Sequence, residues 1–169
     1  MAKDTSTRSS AAQFYAAAEL CRRNYCAVVT MGNTPNTDIL CSNKEGTKFV
    51  HVQIKTFDPE HNKTCIVGMK GEKYYGDTFF WILCGIPKSI NPRVPFQYYI
   101  IPSKIMSDNI IAGHKKWASQ LGKNGRKRNE ENTVRAISLP PYTAKHRNPN
   151  GWDVARYLNN WGPIENKLK

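Results

Sequence analysis

The pattern of apolar and polar positions divides the chain into one helix, a run of strands and then further helices. Residues 11–23 are rich in helix formers, with apolar positions at helical spacing. Ser9 and Ser10 are N-cap candidates, Arg22 and Arg23 suit the negative end of the helix dipole, and Asn24 suits the C-cap. Residues 25–31 read as a strand, and residues 32–36 as a loop with strong breakers. Two short strands follow at residues 37–41 and 48–57, joined by Ser42-Asn43-Lys44-Glu45-Gly46-Thr47. Residues 64–69 form a weaker strand candidate. Residues 78–86 are apolar throughout, as in a strand buried on both faces. Residues 96–101 predict another strand, closed by Pro102, and a helical stretch runs over 103–121. A polar, glycine-punctuated segment at 122–132 leads to a short strand at 133–139, which Pro140-Pro141 breaks. Residues 151–161 read as an amphipathic helix. No repeat or internal boundary interrupts this order. The expectation is a single mixed α/β domain over residues 1–169, with a central mixed sheet flanked by helices and a flexible lead-in at 1–9.

Composition narrows the class. A chain of 169 residues with 40% hydrophobic and 11% aromatic content can bury a real core, which argues against disorder. No apolar run approaches the ~20 residues of a membrane span, and the N-terminus lacks the apolar segment of a signal peptide, so a cytoplasmic protein with no membrane partner is expected. The five cysteines form no C-x-x-C pair and the four histidines are scattered, which argues against structural zinc. A formal charge of +12 and a pI near 9.6 favour polyanionic partners, nucleic acid ahead of anionic membrane. No Ser-His-Asp spacing and no activated cysteine is evident.

The hairpin at residues 37–57 carries the chemistry. With the turn centred on Glu45-Gly46, opposed residues have numbers that sum to about 91, so Asp38 lies opposite Gln53. Period-two alternation puts Lys55 on the same face. The other face holds Ile39, Cys41, Val50, Val52 and Ile54, all core types, and a one-residue slip would bury the three polar groups. A hard cation such as Mg²⁺ takes oxygen ligands. The Asp38 carboxylate, the Gln53 amide oxygen and the Ile54 backbone carbonyl supply three of them. Lys55 beside them is suited to stabilising charge that develops on a phosphodiester. The alternative, that Asp38 ends a turn and Gln53 and Lys55 form a solvated face, stays open at this stage.

The stretches Asn36-Thr37-Asp38-Ile39-Leu40 and Val50-His51-Val52-Gln53-Ile54-Lys55-Thr56 resemble the D…(E/Q)xK core of the PD-(D/E)xK nuclease superfamily, to which restriction endonucleases and Holliday-junction resolvases belong. The helix over residues 17–25 resembles the one that opens that fold, and the likeness spans residues 10–57. It implies a restriction endonuclease-like αβββαβ core. It also implies Asp38 and Gln53 as metal ligands, Lys55 as the catalytic lysine, and Mg²⁺ or Mn²⁺ as cofactor. The sequence departs from the pattern at Thr37, where the family has proline, and at Gln53, where it commonly has an acid. The acidic position of the first helix aligns with Gln13, and Glu19 lies nearly two turns later. Gln13 and Glu19 are therefore the candidates for support of the site.

Between Gly113 and Arg128 stand Lys115, Lys116, Lys123, Arg126, Lys127 and Arg128 with no acid among them, a composition suited to backbone phosphates. Lys63, Lys70 and Lys73 extend the basic surface. The leading expectation is a metal-dependent nuclease of DNA rather than RNA, in a restriction or defence setting. It would act as a homodimer, because a single site cuts a single strand. The alternative is a nuclease-fold protein whose site has decayed and which binds nucleic acid or serves as a scaffold. A basic protein with a protein partner is a third option.

Overall fold

The structure is a computed structural model that describes residues 6–31, 34–61, 63–88, 94–122 and 125–169. Helix α1 (Ser6–Arg22) begins three residues before the expected caps, so residues 6–9 of the expected lead-in are helical, and residues 1–5 lie outside the described residues. Ala12, Ala16, Ala17 and Leu20 form its buried stripe. Asn24 ends the helix in the left-handed conformation at φ 67, and the Tyr25 N–H closes back onto the Leu20 carbonyl at 3.2 Å.

The strands are β1 (Cys26–Val29), β2 (Ile39–Ser42), β3 (Phe49–Phe57), β5 (Phe79–Gly85) and β6 (Gln97–Pro102), and they build one sheet in the order β1-β2-β3-β5-β6. β3 and β5 pair in parallel and the other neighbours antiparallel, so the sheet is mixed as expected. Among the described residues the crossover from β3 to β5 contains no α-helix. It carries strand β4 (Thr64–Ile66) and a 3-10 turn (Met69–Glu72). β4 pairs with β7 (Ala136–Ser138) in a separate two-stranded sheet. Helix α2 (Ser103–Ala118) follows β6, and α3 (Gly162–Leu168) closes the chain. Among the described residues no helix is long and apolar enough to cross a membrane.

Two apolar cores lie on opposite faces of the large sheet. Val50, Val52 and Ile54 of β3 point into the first, together with the α1 stripe and Ile164 and Leu168 of α3. Phe57 points into the second, with Phe79, Trp81 and Leu83 of β5 and Met106 and Ile110 of α2. β5 is buried along its whole length, which explains why residues 78–86 read as continuously apolar.

Residues 151–161 do not form the expected amphipathic helix. They hold one 3-10 turn (Ala155–Tyr157) between Gly151 at φ 78 and Asn159 at φ 52, two left-handed positions that an α-helix cannot absorb. Their backbone instead serves the β6 edge, where the Asn159 N–H donates to the Tyr98 carbonyl at 2.6 Å. The apolar residues still find cores. Trp152, Val154 and Tyr157 enter the second and Trp161 the first, so the segment wraps round the edge of the sheet.

A Cβ added at Gly85 would lie 2.7 Å from Phe57 Cζ and 3.1 Å from Gln97 Cβ. Gly85→Ala is expected to destabilise the protein by about 1–3 kcal/mol, read from urea unfolding. An unchanged midpoint would mean that the Phe57 ring yields freely.

Candidate active site

The hairpin turn is closed by its own side chain. Asn43 Oδ1 accepts from the N–H groups of Thr47 (2.9 Å) and Lys48 (3.0 Å), while Gly46 takes φ 66. The resulting register pairs Ile39 with Val52, Leu40 with His51 and Cys41 with Val50, each summing to 91 as expected. The paired register ends at Ile39 and Val52: the Asp38 N–H donates to the same Val52 carbonyl at 2.8 Å, one residue out of step, and Asp38 meets Gln53 through its side chain.

Here β2 stops and β3 runs on. The Ile54 N–H faces the β2 side, where the ladder no longer offers a carbonyl. The Asp38 carboxylate takes that place, with Oδ2 accepting from Ile54 N at 2.6 Å. Gln53 Nε2 donates to the same oxygen, and Gln13 Nε2 reaches from α1 to Oδ1 at 3.2 Å. In antiparallel pairing a residue's N–H and C=O point to the same side, so the Ile54 carbonyl faces this edge too. Lys55 lies two residues on from Gln53, on the same face and half-buried. The geometry therefore gathers Asp38, Gln53, Ile54 and Gln13 directly and sets Lys55 beside them.

Burial pushes the Asp38 carboxyl above its ordinary pKa. The Ile54 N–H, the Lys55 charge, the Gln53 amide and the Lys70 charge pull it partly back. Lys70 was placed from sequence only on the general basic surface. It stands on the 3-10 turn of the crossover, exposed, and its charge acts on Asp38. No sequence signal marks that proximity, because it depends on how a segment between β3 and β5 folds back.

Glu19 is engaged elsewhere. Its carboxylate pairs with Arg23 and, at 3.1 Å, with Arg22, and Arg23 in turn covers the Trp161 ring at 4.5 Å. The residue of α1 that reaches Asp38 is Gln13. A second cluster lies past the end of β3, where Asp58, Glu60 and His61 bring three metal-ligating atoms within 4.8 Å of one another. The fully buried Asp58 carboxylate there already accepts from Lys88 Nζ (3.0 Å), His61 Nδ1 (3.1 Å) and the Glu60 N–H (3.1 Å). Cys41, Cys65 and Cys84 are free and buried, and burial pushes each thiol up to about 12, so none is an activated nucleophile.

Of the basic residues, Lys115 and Lys116 are exposed in the last turn of α2, and Arg126 and Lys127 are exposed beyond it. Lys123 lies outside the described residues. Arg128 is more ordered than a flexible loop implies. Its guanidinium lies 4.9 Å from the Trp117 ring centre and donates to the Trp117 carbonyl at 3.1 Å.

No protein-family model matches the chain, and no curated protein does. A solved structure does: that of the bacterial homing endonuclease I-Ssp6803I. The two share a TM-score of 0.53 and 14% identity over 97% of this chain and 94% of that one. At that identity the likeness is one of fold.

The folded protein holds the Asp38 proton more tightly than the unfolded chain does. This contribution to stability is fully present below the ordinary aspartate pKa and is lost as pH rises through the raised value. An NMR titration of the Asp38 carboxyl carbon is expected to give a midpoint above the ordinary one, and Lys55→Met is expected to raise it further. A midpoint at or below the ordinary value would contradict the burial argument.

Proposed function

We propose that this chain is a metal-dependent DNA endonuclease of the PD-(D/E)xK type, with its site at the edge where β2 ends and β3 continues. The observation that carries the proposal is the convergence of Asp38, Gln53, Gln13 and the Ile54 backbone beside Lys55. The fold shared with a homing endonuclease and the net charge of +12 lend support.

The donor set suits a hard divalent cation, Mg²⁺ or Mn²⁺. It is all oxygen: the Asp38 carboxylate, the Gln53 amide oxygen and the Ile54 carbonyl, with the Gln13 amide alongside. Two amide groups now offset the half-buried Asp38 charge. An amide presents oxygen or nitrogen from nearly the same shape, so turning Oε1 inward sacrifices only these hydrogen bonds. A bound cation would polarise the phosphate and lower the pKa of an attacking water. Asp38 would fix its position from the sheet edge. Lys55 would hold its ammonium against the charge growing on the phosphate, and Lys70 would add a second positive charge from the crossover. Lys115, Lys116, Lys123, Arg126, Lys127 and Arg128 would neutralise flanking phosphates, with two copies of the chain cutting the two strands.

Purified protein is expected to cut plasmid DNA with Mg²⁺ or Mn²⁺. Lys55→Ala is expected to lower the rate by about 10²-fold or more with the circular dichroism unchanged. Gln53→Glu adds a second carboxylate, and it is expected to enlarge the rise in melting temperature that the metal causes. The amides at Gln13 and Gln53 also favour a second reading, a decayed nuclease fold that only binds. Tight, salt-sensitive binding with no cleavage under either metal would select that one.

A further inference from the structure

Away from the candidate active site, α2 and the segment from Asn132 to Trp152 enclose a cleft of about 300 Å³. That is the lower end of small-molecule site sizes, room for one planar ring system. Its walls include Ile110, Trp117, Val134 and Ala136. The Trp117 ring stacks on His114 with centroids 5.7 Å apart, and Arg128 covers it.

Asn109, Asn148 and Asn150 of the lining are hydrogen-bonded, but some donors at the cleft have no partner among the described residues. Trp152 is 8% exposed, and its Nε1–H is buried with no hydrogen-bond acceptor among the described residues. Arg135 is 6% exposed. Its Nε donates to Glu72 Oε1 at 2.5 Å, and its Nη1 donates to the carbonyls of Asn132 and Val134. Nη2 has no acceptor among the described residues. Asn132 accepts the Val134 N–H through Oδ1, which leaves its amide N–H₂ free in the same sense. His114 Nε2 donates to the Glu130 carbonyl at 2.9 Å and is satisfied there. The cleft thus presents Arg135 Nη2 and the Asn132 amide as donors from an apolar, aromatic-walled slot.

The rim is cationic. Lys115 and Lys116 are exposed on the same helical turn as Trp117, and Arg126 and Lys127 precede Arg128. The cleft also joins the candidate active site through one short element: the 3-10 turn Met69–Glu72 carries both Lys70, whose charge acts on Asp38, and Glu72, which holds Arg135.

We propose that this cleft receives one unpaired nucleobase bearing a ring carbonyl, while the basic rim holds the phosphates on either side of it. The proposal rests on the nucleic-acid reading above and adds to it a preference for locally unpaired or bulged DNA. The ring would lie against the aromatic wall, and its carbonyl would accept from Arg135 Nη2 and the Asn132 amide.

Binding measured by fluorescence anisotropy in EDTA tests this independently of cleavage. A labelled duplex with a single thymine bulge is expected to bind about tenfold tighter than the same duplex fully paired, the scale of one base stacked on an aromatic ring. Trp117→Ala should bring that ratio towards one. Asn132→Asp keeps the oxygen that accepts the Val134 N–H and removes the amide donor, and should erase the advantage of a thymine bulge over an adenine bulge, which lacks a carbonyl. A wild-type ratio of one would overturn the proposal. So would a ratio unchanged in both variants, with folding checked by circular dichroism. Competition by thymidine monophosphate as effective as that by bulged DNA would overturn it in favour of a free-nucleotide site. Bulge-selective binding by a protein that never cuts would uphold the cleft and sink the nuclease reading. Cutting without bulge selectivity would do the reverse.

Discussion

In the ladder between β2 and β3, Ile39 stands opposite Val52. One residue of slip would turn Val50, Val52 and Ile54 out of the first core and force Gln53 and Lys55 in. Each buried aliphatic side chain is worth about 1.5–3 kcal/mol against exposure, so three of them outweigh any local preference of the loop before Asp38. Placement of the candidate catalytic groups is therefore a by-product of hydrophobic register. The core fixes Val52, Val52 fixes Asp38 through its carbonyl, and Asp38 then meets the one stretch of β3 that β2 leaves uncovered.

This is why so much of the site was legible in advance. Hairpin register depends on a short turn and a period of two, both local properties, and Asn43 and Gly46 lock the turn that the arithmetic assumes. The continuous apolar run of β5 was equally plain, because burial on both faces leaves no alternation to misread. Gln13 was placed from a resemblance and proves to touch Asp38, whereas Glu19 lies too far along α1 and belongs to the arginines at its end.

What escaped the sequence depends on distant partners. The 3-10 turn that brings Lys70 to Asp38 has no pattern of its own. It is set by the pairing of Val67 and Gly68 with the Arg135 carbonyl and by Gly71 packing against Ile110. Residues 151–161 have helical apolar spacing, yet their backbone is claimed by β6 and by Asn148, whose side chain accepts from Ser138 N and donates to the Trp152 carbonyl. A periodicity describes which side chains are buried, not which partner buries them.

The small sheet formed by β4 and β7 ties the crossover to a strand some seventy residues later, with Cys65 opposite Ile137 in the second core. Half of the candidate site's positive charge thus reaches it through a segment whose shape is completed only when the last third of the chain arrives. During synthesis the hairpin that carries Asp38, Gln53 and Lys55 emerges early, but the turn that carries Lys70 has no strand to pair with until Ala136–Ser138 follows. The carboxylate and lysines of the candidate site are therefore brought together in two instalments, and a fragment ending before β7 would hold Asp38, Gln53 and Lys55 without the strand that completes the setting of Lys70.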